Sequence, residues 1–95
     1  MRFQLYTSKP RAVAPNLVAL QHPGLAALPT VLVCPLRAGM SRTPVRVEVR
    51  WNEKRFIVAC DLIRPVNRQL LRAVGELDEA TSRAILSTFL RLLPG

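Results

Sequence analysis

Asp61 is the residue of this chain whose neighbours best equip it for chemistry. It ends the apolar run Val58-Ala59-Cys60, and Arg64 and Arg68 follow close behind. A carboxylate near guanidinium groups suits cleavage of RNA through its own 2′-hydroxyl. That reaction needs a base for the hydroxyl proton, an acid for the leaving oxygen and donors for the charged phosphate. Asp61 would be the base, and Arg64 or Arg68 would oppose the charge. The competing reading is structural. An aspartate at the end of a strand accepts hydrogen bonds from the turn that follows, and this is the default.

Other reactive groups are few. His22, the single histidine, lies in a Pro/Gly loop with no serine, cysteine or acid at a spacing that would orient it as a base. Glu76, Asp78 and Glu79 cluster where a helix starts and read as capping residues. No glycine-rich phosphate loop, paired-carboxylate motif or regular basic-aromatic ladder occurs. Cys34 and Cys60 sit in apolar surroundings with no C-x-x-C pair and no Cys/His cluster. They read as free buried thiols, so neither a disulfide framework nor a metal or other cofactor is expected.

The charge points to a partner. The net charge is +8, and 12 of the 14 basic residues are arginine. Arginine makes planar, bidentate contacts with carboxylate and phosphate, so the partner expected is nucleic acid or an acidic protein segment. Arg46, Arg50 and Arg55 fall on the outer face of one hairpin, where they would attract an acidic segment or simply be solvated.

These groups need elements to hold them. A chain of 95 residues suits one domain, 1–95, and 49% hydrophobic residues suit a packed core. Arg2–Thr7 alternates as a first strand, and Asn16–Gln21 is a short second one. Thr30–Leu36 is an apolar, β-branched run of strand length, which predicts a central strand buried on both faces. In Val45–Trp51 the residues Val45, Val47, Val49 and Trp51 share one face, while Arg46, Glu48 and Arg50 share the other. Asn52-Glu53 makes a tight turn, and the run from Lys54 returns as the hairpin partner.

The segment from Leu62 to Leu77 is ambiguous: an extended piece, a turn or short helix near Asn67–Leu71, then a break at Gly75. Asp78 is the expected N-cap of a final helix, ended by Pro94 and Gly95. That helix carries two apolar stripes, Ile85/Phe89/Leu92 and Leu86/Leu90/Leu93, beside a narrow polar line of Arg83, Ser87 and Arg91. Two stripes suggest that one packs on the sheet and the other meets a second subunit. The fold expected is mainly β, a strongly bent antiparallel sheet of about five strands with a C-terminal α-helix, in the manner of an SH3-like barrel. The N-terminus has no signal-peptide core, and the longest apolar stretch, Gly24 to Leu36, is broken by Pro29 and Pro35 and too short to span a bilayer. A cytoplasmic protein with no membrane partner is expected.

Four stretches together resemble the CcdB/MazF toxin superfamily: "MRFQLYTSK", "VALQHPGL", "TVLVCPLRAG" and "CDLIRPVNRQLL". The resemblance implies an SH3-like barrel, a homodimer, and a toxin neutralised by the acidic, disordered tail of an antitoxin, which Arg46, Arg50 and Arg55 would receive. Its two branches differ in target. CcdB-like members, plasmid-maintenance toxins, inhibit DNA gyrase through the end of the helix, here Arg91, Leu93, Pro94 and Gly95. MazF-like members cut RNA, for which the resemblance implies Asp61 and Arg64. The opening strand, the short first loop and "VLVCPLRAG" favour the CcdB-like branch. A gyrase-binding toxin without chemistry of its own is therefore the first expectation. A MazF-like endoribonuclease, or an inactive remnant that binds only an acidic partner, is the alternative.

Overall fold

The computed structural model describes residues 2–20, 29–39, 41 and 43–92. Seven strands form where about five were expected: β1 Gln4–Thr7, β2 Leu17–Ala19, β3 Thr30–Arg37, β4 Arg46–Trp51, β5 Lys54–Ala59, β6 Arg64–Asn67 and β7 Arg72–Glu76. One-turn 3-10 helices, Cys60–Leu62 and Arg68–Leu70, flank β6, and the helix α1 spans Glu79–Leu92. All pairings are antiparallel, in the order β4-β5-β3-β2-β1-β7, with β6 also on β3. The expectation of a bent, mainly β sheet with a C-terminal helix holds. The two added strands come from the ambiguous segment, where Gly75 lies inside β7 rather than at a break.

The clearest sequence pattern makes the clearest hairpin. Strands β4 and β5 pair in full, from Arg46 opposite Ala59 to Trp51 opposite Lys54. Asn52 and Glu53, at φ of 49° and 64°, form the tight turn. Two successive left-handed residues match the right-handed twist of the strands.

Strand β3 organises the sheet. Along one side it first pairs β6, from Thr30 opposite Asn67 to Val33 opposite Arg64. Further along that side it pairs β5, through Leu36 opposite Val58 and Arg37 opposite Ile57. Pro35 lies at the change of partner. The Leu36 N–H donates to Asn16 O on the β2 side, so by alternation the nitrogen of Pro35 faces the gap between the two ladders. A proline has no N–H to offer there, and the facing chain leaves the sheet as the turn Cys60–Leu62.

Both faces of the sheet are covered near its centre. Phe3, Leu5, Val18, Cys34, Leu36, Val58 and Ile85 belong to the main core, beneath α1. Leu17, Ala19, Val31 and Val33 form a second cluster on the other face, packed by Tyr6, Val66 and Leu71. Fully burying one such side chain contributes about 1.5–3 kcal/mol. The described ion pairs all join partly exposed groups, worth at most about 1 kcal/mol each. Apolar burial therefore holds the fold.

The helix begins as expected, with the Thr81 N–H donating to Asp78 Oδ1 at 2.7 Å. Its packing differs from the two-stripe reading. The residues turned fully inward are Ser82, Ile85 and Thr88. Ser82 Oγ accepts the Phe3 N–H at 2.9 Å, satisfying a backbone donor just ahead of β1. Thr88 Oγ1 donates to Ala84 O within the helix. Two hydroxyls thus take sheet-facing positions, while Leu86 and Phe89 are half-buried and Leu90 remains 55% exposed. Leu93, Pro94 and Gly95 lie outside the described residues, as does His22.

Candidate functional site

Asp61 lies at the middle of the 3-10 turn that follows β5. Its carboxylate Oδ1 is 3.5 Å from Arg46 Nε, and the two side chains are 33% and 29% exposed. The hairpin register explains this meeting. Arg46 stands opposite Ala59, two residues before Asp61. The guanidinium thus reaches across the end of the ladder to the carboxylate. Asp61 thus keeps access to solvent beside a cationic neighbour, an arrangement open to acid–base chemistry.

Arg64 is placed differently. It opens β6 opposite Val33, and among the described residues no hydrogen bond or ion pair joins it to Asp61. The arginine that does contact Asp61, Arg46, was assigned by its sequence position to a docking face. The signal was available in the two-residue turn, which sets the hairpin register and places Arg46 across from Ala59.

Arg46 also lines a groove between β4 and α1, together with Thr43, Val47, Glu48, Thr88 and Arg91. Arg91 donates to Thr88 Oγ1 at 3.1 Å. The groove therefore brings together one residue expected to meet an antitoxin and one expected to meet a target. Arg50 and Arg55 stand opposite each other in the hairpin, both exposed. Arg55 is ion-paired with Glu48, so the arginine face is not purely cationic. A second groove, bordered by Ser8, Lys9, Leu70 and Arg72, opens on the far side of β1 and β6.

Beside Asp61 lie the two thiols. Cys34 and Cys60 are free and buried, as expected. They are hydrogen-bonded to each other, which pushes the Cys34 thiol up and the Cys60 thiol down. Burial and the Asp61 charge raise both thiols, and Arg91 makes a smaller contribution that lowers Cys60. Among the described residues, no group of three or more His, Cys, Asp or Glu side chains is gathered to hold a metal ion.

A model of the PemK-like, MazF-like toxins of type II toxin-antitoxin systems matches residues 4–93. The chain belongs to this family. The toxin also shares its fold with the Mycobacterium tuberculosis toxin MazF-mt6. The match has a TM-score of 0.73 and 15% identity, over 96% of this chain and 94% of that one. No curated protein matches the sequence. Within the described residues of the toxin, no helix is long and apolar enough to cross a membrane.

Proposed function

We propose that this toxin is an RNA-cleaving endonuclease with Asp61 as its acid–base residue. The observation that carries the reading is the partly exposed Asp61 carboxylate, ion-paired with Arg46, in a chain of the PemK-like, MazF-like family. The CcdB-like reading, inhibition of DNA gyrase, rests on the helix end. Three of its four residues, Leu93, Pro94 and Gly95, are outside the described part, and the family match does not support it. The alternative from the sequence therefore becomes the main reading.

In this mechanism Asp61 takes the proton of a ribose 2′-hydroxyl, and the oxygen attacks the adjacent phosphorus. The 5′-oxygen of the next nucleotide leaves and takes a proton from solvent. The products are a 2′,3′-cyclic phosphate and a free 5′-hydroxyl. Arg46, already at the carboxylate, faces the developing phosphate charge, and Arg64 adds its charge from the start of β6.

Two partners complete the proposal. The exposed Leu90, with Leu86 and Leu92, forms the helix surface where a second copy of the chain would sit. An acidic antitoxin tail would lie over Arg46, Arg50 and Arg55 and order as it binds. Because Arg46 contacts Asp61, such a tail would reach the catalytic carboxylate.

The test is cleavage of a single-stranded RNA of mixed sequence by the purified toxin, with product ends identified by mass. Asp61→Asn should lower the rate on the order of 100-fold or more, with an unchanged circular dichroism spectrum. A folded Asp61→Asn protein that cuts at the wild-type rate, or a wild-type protein that blocks gyrase supercoiling and leaves RNA intact, would overturn the reading.

A further inference from the structure

The pairing that ends at Leu36–Val58 has an unbroken register, with Arg37 opposite Ile57 and Leu36 opposite Val58. Extending it by two residues on each chain places Cys34 opposite Cys60. The alternation agrees, since Cys34, Leu36, Val58 and Cys60 all face the main core. Cys60 itself stands in the turn that leaves the ladder, and its side chain meets that of Cys34 in a hydrogen bond. A disulfide joins β-carbons about 3.5–4.5 Å apart, a separation within reach of side chains that already touch.

Burial alone would make these thiols inert. Cys34 is 0% and Cys60 1% exposed. The turn that carries Cys60 packs inward on β3, β4 and α1, and its outer side faces solvent. It is a single 3-10 turn with no side-chain cap, and its next two residues, Asp61 and Leu62, are exposed. Such a turn opens at low cost compared with the strands around it. The hydrogen bond from Cys34 favours the Cys60 thiolate and outweighs burial and the Asp61 charge, which oppose it; Arg91 adds a smaller favourable charge.

We propose that Cys34 and Cys60 form an oxidation site, a dithiol that closes to an intramolecular disulfide in the folded chain when it meets a peroxide. The Cys60 thiolate attacks one peroxide oxygen. The O–O bond breaks, the leaving oxygen takes a proton and departs as water, and Cys60 carries a sulfenic acid. The Cys34 sulfur then attacks the Cys60 sulfur, the S–O bond breaks, and that oxygen takes the Cys34 proton to leave as a second water. Two thiols and one hydrogen peroxide yield one disulfide and two waters. The bond ties the turn that carries Asp61 to the central strand β3. The inference does not depend on the RNA-cleaving reading.

The experiment treats the purified full-length protein with hydrogen peroxide under native conditions and measures its intact mass and a non-reducing digest. The expected product is lighter by two hydrogen atoms, yields one peptide pair joining Cys34 to Cys60, reverts with dithiothreitol, and melts at a higher temperature than the reduced form. In Cys34→Ala the reaction should stop at Cys60 as a sulfenic acid that dimedone traps. Three results would overturn the proposal: thiols unchanged by peroxide, cysteines carried to sulfinic or sulfonic acid without a link, or a link formed only in denaturant.

Discussion

The indole of Trp51 lies against Gly75, its Nε1 only 2.8 Å from where a β-carbon on that glycine would stand. The contact joins β4 and β7, which stand at opposite ends of the strand order, so it closes the curl of the sheet. Gly75 is thus needed for close approach, inside a strand where glycine is otherwise a disadvantage.

Gly75→Ala should consequently destabilise the fold by roughly 1–3 kcal/mol through overpacking. Urea unfolding followed by tryptophan fluorescence is unsuited to variants of Trp51, so circular dichroism should be used. Trp51→Val should also destabilise, and the double variant should lose less than the sum of the two. Strict additivity would mean that the ring and the glycine do not constrain each other.

Leu90 tests the helix surface. It is 55% exposed in a stripe with half-buried Leu86, while the sheet-facing side of the helix is filled by Ser82, Ile85 and Thr88. Under the proposed contact between two copies through this surface, Leu90→Glu should leave the protomer folded and shift the protein from dimer to monomer. Sedimentation equilibrium reads this directly. A variant that sediments as the wild type does would show that Leu90 takes no part in a subunit contact.

Asp78 sets an acid limit on the helix. Its carboxylate accepts hydrogen bonds from Thr81, which hold it below its ordinary value of 3.8. A carboxylate with a lowered native pKa binds protons more readily in the unfolded chain. Its stabilising contribution is complete above the unfolded value and is lost as pH falls through the native one. Asp78→Asn keeps the cap geometry but cannot titrate. Comparing thermal midpoints from pH 6 down to about pH 2, across the ordinary carboxylate range, the wild type should lose more than the variant does. Parallel curves would show that the cap charge has no part in acid unfolding.

The elements legible from the sequence were those with one strong period. Val45–Trp51 alternates without a break, and its two-residue turn fixes the register of its partner. Thr30–Leu36 is apolar after its first residue, and Asp78 stands where a cap must stand. Strands β6 and β7 were hidden because Pro65 and Gly75 resemble punctuation, while their neighbours are largely exposed on short edge segments. The orientation of α1 was hidden for another reason. Apolar periodicity finds the side rich in leucine, but the sheet needed a hydroxyl to accept the Phe3 N–H, and Ser82 supplies it. At the candidate site the proposed acid–base residue, Asp61, is picked out by its type and neighbours. Its contact, Arg46, lies fifteen positions earlier in the chain and becomes visible only through pairing.

The first and last strands of this sheet are neighbours. Gln4 pairs with Glu76, and the Phe3 N–H waits for Ser82 on the helix. On a ribosome, where the chain emerges from its N-terminal end, β1 is made long before either partner exists. Asp61 and Arg46 are both synthesised before the β7 that closes the curl. Translation itself therefore imposes a delay: an unfinished copy of this toxin carries Asp61 and Arg46 on a sheet that cannot yet close, and the closed fold arrives only with β7 and the helix that follows it.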